Sequence, residues 1–252
     1  GGRARRRGRE RARRAPATAW TCKVWECIRG HPADNRGMRR ALGFVLVLAA
    51  CSVSSDPDAD EVAAAQSAGR GLERLETVLG EALAFLATLE AAQPVHVVYD
   101  AGTGDFSIVT SLGTVVGTVT SADDLSDGIG PGEVAAVSWT LDGPDVTGGG
   151  SFEVTGAPAG LFGLTGNFTL ENSLDRFQAL NCEIDFGSPS LVGSTGHFTL
   201  VGGSSNQSMV GQVRFQGSQV AMVDMGVVLE GFGKRAIFDV DLVTFLPGPV
   251  RT

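Results

Sequence analysis

Few side chains in this 252-residue chain have the types and spacing that chemistry requires. Beyond residue 50 the histidines are His96, which alternates with Val95, Val97 and Tyr99, and His197, which stands on the strand face opposite Phe198 and Leu200. Nothing in the spacing brings the two together. Cys182 alternates with Ile184 and Phe186 while Asn181, Glu183 and Asp185 take the other face. It therefore reads as a buried core thiol rather than a nucleophile. Asp123-Asp124-Leu125-Ser126-Asp127-Gly128, followed by Glu133, is the segment most like a calcium loop, with Asp123, Asp127 and Glu133 as the carboxylates. Leu125 occupies the place of the second ligand in such loops, so a polar hairpin loop is the preferred reading. Asp239 and Asp241 share one strand face. Such a pair can bind calcium or serve as acid and base, but a solvated face that keeps a strand soluble is the commoner use.

The standard signatures are missing from the sequence. It contains no His-Glu-x-x-His, Cys-x-x-Cys or Gly-x-Ser-x-Gly, and Cys22 and Cys27 lack a second pair for zinc. Gly231-Phe232-Gly233-Lys234-Arg235 lacks the spacing of a phosphate loop. No catalytic residue, metal or cofactor is expected.

Cys51 is different, because its surroundings give it a role. Met38-Arg39-Arg40 is followed by the apolar run Ala41–Leu48 and then by Ala49-Ala50-Cys51. This is the charged, apolar and small-residue succession of an export signal, and the run is too short to span a bilayer, which needs about 20 apolar residues. Leu48-Ala49-Ala50-Cys51 resembles the lipobox of bacterial lipoproteins. The resemblance implies that the Cys51 thiol is diacylated (the palmitate type of modification), that the chain is cut before it, and that the new amino group is acylated. Two or three acyl chains give stable anchoring where one is marginal. The lipid bilayer is then a partner through Cys51, and Ser52 in place of Asp favours the outer over the inner membrane. On this reading 38–50 is the signal peptide, and the basic segment 1–37 is upstream of the native protein or disordered. The alternative is an ordinary signal peptide with a chance cysteine.

Charge follows the same division. Residues 1–37 carry 11 Lys and Arg against 3 acids, residues 38–50 two Arg and no acid, and residues 51–252 only 7 bases against 25 acids. So acidic a body excludes nucleic acid as a partner and gives no electrostatic grip on anionic lipid.

The elements that must position these residues are one helix and many strands. Residues 51–61, with Asp56, Asp58 and Asp60, read as an acidic tether; Asp-x-Asp-x-Asp lacks the glycine and closing glutamate of a calcium loop. Leu72, Leu75, Leu79, Ala82, Leu86 and Leu89, spaced three and four apart, predict an amphipathic helix over 62–92 that packs on a sheet, weakened at Gly69 and Gly71 and ended by Gln93-Pro94. From residue 95 to 247 the period becomes two. Strands are expected at 95–99, 105–111, 114–120, 133–141, 150–155, 166–171, 176–186, 195–201, 209–216, 219–224, 226–231 and 235–245, separated by Gly-rich turns. A Gly-x-Phe-x-aliphatic pattern recurs at Gly150, Gly166 and Gly196, and Phe152, Phe168, Phe186, Phe198, Phe215, Phe232 and Phe245 follow one per strand and turn. The expected fold is mainly β: an antiparallel meander, whether sandwich, roll or half-barrel, preceded by one amphipathic helix. Trp139 and Tyr99 are the lone Trp and Tyr of the body, too few for the aromatic girdles of a membrane barrel or for sugar-stacking platforms.

These readings rank three functions. First stands a lipid-anchored envelope protein with a structural, adaptor or binding role and no enzymatic activity. The alternative is a carrier of a hydrophobic ligand, the sheet curved round a pocket and the helix as lid or plug. An acidic-residue hydrolase comes last.

Overall fold

The computed structural model describes residues 58–89, 95–123, 128–157, 161–204, 207–229 and 232–251. The helix α1 spans Ala59–Leu86. Eleven strands follow: β1 Val97–Asp100, β2 Asp105–Val109, β3 Thr114–Ser121, β4 Val134–Asp142, β5 Thr147–Ala157, β6 Leu161–Glu171, β7 Arg176–Phe186, β8 Thr195–Ser204, β9 Gln207–Gln216, β10 Val220–Leu229 and β11 Phe232–Asp241. They form one antiparallel sheet in sequence order, open between β1 and β11. The fold is the expected meander with one preceding helix.

Helix α1 starts earlier than the leucine spacing indicates, because Asp58 caps it. The Asp58 carboxylate accepts from the N–H groups of Asp60 and Glu61, both at 3.1 Å, and Glu61 accepts from the Asp58 N–H at 3.0 Å. This capping box contributes about 1 kcal/mol. Asp58 also pairs with Lys234 of β11, and Gln207 of β9 donates to the Asp60 carbonyl at 3.0 Å. The end of the expected tether is therefore the first turn of the helix. Glu61 is 4 % exposed, and its carboxyl is raised by burial and then by the neighbouring Asp60.

The helix lies in the curl of the sheet. Leu72, Leu75, Leu79, Leu83 and Leu86 are fully buried, as are Ala64, Ala65 and Ala68. Exposed are the first turn, with Ala59, Asp60 and Val62, and a stripe through Ala63, Gln66, Arg70, Glu73 and Ala84. Along its length α1 touches both ends of the strand order. The Phe85 ring meets those of Tyr99 and Phe106 at 5.3 and 5.1 Å, while Gly69 lies against the Phe245 carbonyl just beyond β11.

Most strands alternate, with buried apolar residues inward and mainly polar residues outward, among which Val98, Val109, Val116, Val210, Val220 and Val228 are exposed. In β4, Val137, Trp139 and Leu141 are buried and Ala136, Ser138 and Thr140 are exposed. The recurring Gly-x-Phe pattern has a cross-strand meaning. Gly150 faces Phe168 and Gly166 faces Phe152, so each large ring stands opposite a missing side chain. Gly196 faces Phe215 in the same way. A methyl at Gly166 would overlap the Cβ of Phe152. Aromatic packing continues through Phe152–Phe168 at 5.4 Å and Phe198–Phe215 at 6.0 Å.

Strand β7 needs a correction to strict alternation. Phe177 and Ala179 are buried, and so are Cys182, Ile184 and Phe186. A bulge near Asn181, with φ 52°, inserts one residue relative to both neighbours and restores the inward face. Asn tolerates that left-handed geometry better than most residues, and the Asn167 side-chain oxygen accepts from its N–H at 2.9 Å.

Two expected strands, 219–224 and 226–231, are one strand, β10, because pairing with β9 and β11 runs without interruption through Gly226. The last strand ends at Asp241, and Phe245 lies beyond it at φ 54°. The C-terminal segment then turns back along β11 through Val240–Pro247 and Ile237–Arg251 bridges, covering that edge of the sheet. Strands β5 to β11 have 10 or 11 residues, long enough to cross a bilayer; β5, β6, β8, β9 and β10 are longer than expected, β7 matches its expected range and β11 is one residue shorter. Their inward face is apolar and their outward face mainly polar, broken by Val210, Val220 and Val228, whereas a membrane barrel turns a continuous apolar band outward. Among the described residues no helix is long and apolar enough to cross a membrane.

Candidate functional site

Cys51 and Asp127 lie outside the described residues. The other calcium candidates serve their own loop. Asp123 accepts from the Val134 N–H at 3.2 Å, and Glu133 accepts from the Gly130 N–H at 2.5 Å. Both carboxylates thus hold the β3–β4 connection in shape. Among the described residues no three His, Cys, Asp or Glu side chains are grouped as metal ligands.

Asp239 and Asp241 are likewise engaged. Asp239 pairs with Arg251 at 3.3 Å. Asp241 accepts from the N–H groups of Thr244 at 2.9 Å and Val243 at 2.8 Å, and these bonds hold its carboxyl below the usual range. Together they fasten the turn and the returning C-terminal segment to β11. His96 reaches Glu81 of α1 at 3.3 Å, whereas His197 is exposed between Glu183 and Arg214 on neighbouring strands. The two histidines stay apart, on β8 and just before β1.

Cys182 is 1 % exposed, and burial pushes its thiol up to about 12. A thiol so placed is neutral at physiological pH and inert as a nucleophile.

The inner face of the sheet is occupied by α1, which leaves grooves on the surface. Two shallow ones, about 590 and 430 Å³, lie on the outer face over β2–β6, floored by small residues such as Ser138, Gly150 and Ser151. The third, about 670 Å³, runs between α1 and the C-terminal segment. It is lined by Val62, Ala65, Phe245, Leu246 and Pro247, with Arg70 and Glu73 as its charged groups. Sequence reasoning missed it because neither side has a motif; it arises from a tail that folds back beside a helix far from it in the chain.

The fold and these sites define an open eleven-stranded antiparallel sheet curled round a capped helix. Comparison with protein-family models, curated proteins and solved structures finds no match for the chain.

Proposed function

We propose that the protein is a lipid-anchored domain of the bacterial cell envelope with a structural, adaptor or binding role. The observation that carries this reading is the export signal ending in Leu48-Ala49-Ala50-Cys51, seven residues before the capped start of α1. Acylation at Cys51 would join the membrane to the helix that packs in the curl of the sheet. The outward polar face suits a water-exposed domain, and the carboxylates most suggestive of chemistry are spent on holding loops.

Cells given labelled palmitate are expected to incorporate it into the wild-type chain, which sediments with membranes. Cys51→Ala is expected to lose the label and most of the membrane-bound fraction. Label retained by Cys51→Ala would overturn the anchor.

The groove beside α1 supports a second reading, the carrier of a hydrophobic ligand. Its 670 Å³ falls within the range of small-molecule pockets, about 300–1,000 Å³. On this reading cargo binds outside the sheet, against Phe245 and Leu246, because the helix fills the inside. Native mass spectrometry of protein purified from membranes is expected to show a lipid-sized adduct that Ala65→Trp removes. A chain free of adducts would reject a carrier role.

A further inference from the structure

We infer that the groove between α1 and the C-terminal segment holds a zwitterionic phospholipid of the ethanolamine type, with its phosphate on Arg70, its ammonium on Glu73 and one acyl chain against Phe245 and Leu246. This inference rests on the carrier reading and names the ligand of that same groove.

The apolar lining sets where the chain lies. Val62 on α1 is 37 % exposed and Leu246 on the facing segment is 66 % exposed. Phe245 and Pro247 extend the segment's side. An acyl chain laid here takes this surface out of water. The volume, about 670 Å³, is that of a pocket for a drug-sized ligand. The groove therefore takes a head and one chain and leaves a second chain outside.

The head is read from two charges. Arg70 and Glu73 stand three residues apart on α1 and both line the groove, so their Cβ atoms lie about 5–6 Å from each other. Such a pair commonly closes on itself. Here Arg70 turns instead to Asp175 at 2.9 Å. Among the described residues the Glu73 carboxylate makes no hydrogen bond or ion pair. The bond to Asp175 steadies the planar Arg70 group, and a guanidinium has further donors for a phosphate. Glu73 is left to accept from a primary ammonium. An ethanolamine phosphate carries those two charges on a two-carbon spacer, which suits neighbouring positions of opposite sign.

Net charge excludes the other common heads. Arg74 interacts with Asp175, Arg70 and Glu73, and these two bases and two acids balance. The nearby Lys234 and Arg251 are already paired, with Asp58 and Asp239. Asp60, Glu61 and Asp241 add acid next to the lining residues Val62 and Thr244. An anionic lipid or a fatty-acid carboxylate would gain Arg70 but face an excess of acids at close range. A zwitterion satisfies both lining charges and adds no net charge.

The test uses the full chain, purified in a non-ionic detergent and mixed with equal amounts of palmitoyl lysophosphatidylethanolamine and palmitoyl lysophosphatidylglycerol. The two probes share one chain and differ in the head. Native mass spectrometry is expected to show the ethanolamine adduct several-fold in excess. Glu73→Lys, on the exposed stripe of α1, is expected to reverse that preference, because it removes the acceptor for the ammonium and adds a cation beside Arg70. Glu153→Lys, exposed on β5, changes net charge equally but away from the groove, and is expected to keep the wild-type preference. Equal uptake of both lipids, a preference for the glycerol head, or a preference that Glu73→Lys leaves unchanged overturns the head assignment alone. So does a reversal by Glu153→Lys as large as that by Glu73→Lys. A wild-type chain that takes up neither lipid rejects the carrier reading, and this inference with it.

Discussion

Gly71→Leu is expected to lower the unfolding free energy by about 3 kcal/mol or more, enough to leave a marginal domain largely unfolded. In an exposed helix the replacement of Gly would stabilise by close to 1 kcal/mol, because Gly is the poorest helix former after Pro. Here the sign reverses. A single methyl at Gly71 would overlap the ring of Phe177, which is 2 % exposed and stacks edge-on with Phe198 at 6.1 Å. Phe177 is buried on β7 between its partners Leu170 and Gly202, so any shift of its ring disturbs the core around it. Helix and sheet must then separate, and the contacts of Leu72 and Leu75 go with them. Urea unfolding followed by far-ultraviolet circular dichroism should give a lower midpoint with an unchanged slope. A variant as stable as wild type would mean that α1 does not pack on β7.

The same glycine shows where sequence reasoning succeeds and where it stops. The leucine spacing from Leu72 to Leu86 locates the helix and its main buried stripe, because large apolar side chains carry the periodic signal. Ala64, Ala68, Gly69 and Gly71 are buried too, yet small residues carry none of that signal. Whether Gly71 is a weak spot or a contact depends on Phe177, which lies far along the chain. The Phe repeat is legible as a core face, but the opposition of Gly150 to Phe168 needs the register of β5 on β6. On β7 the break in parity between Ala179 and Cys182 is present in the sequence, with Asn181 between them, and only pairing with β6 and β8 reveals it as a bulge. Acidic side chains misled most. Asp58 and Asp241 read as tether and strand face, and each instead accepts backbone hydrogen bonds at an element boundary; Asp123, on a segment read as a polar hairpin loop in preference to a calcium loop, does so within that loop. Asp fits those places because its short carboxylate reaches nearby N–H groups; at Asp58 the spacing to Glu61 is the sequence signature of a capping box, whereas Asp123 and Asp241 carry no such mark.

Alkaline pH is expected to expose Cys182 as a liability. Its thiol is held neutral in the folded chain up to about 12, against 9.0 for the ordinary group, because burial excludes water from the thiolate. Below pH 9 both states are protonated and the thiol is neutral to stability. Above pH 9 the unfolded chain releases the proton while the folded chain keeps it, so unfolding gains about 1.4 kcal/mol per pH unit. The loss continues until the folded thiol itself ionises near pH 12, about 4 kcal/mol in all. Cys182→Ala removes this dependence at the cost of a small void, about 1 kcal/mol, where the sulfur packed beside Ile184. The two effects have opposite sign and comparable size near pH 10. Wild type should therefore be the more stable protein at pH 8 and Cys182→Ala the more stable at pH 11, with the two stability curves crossing between. Parallel curves from pH 8 to 11 would show that the thiol is not buried as the β6–β7–β8 packing places it.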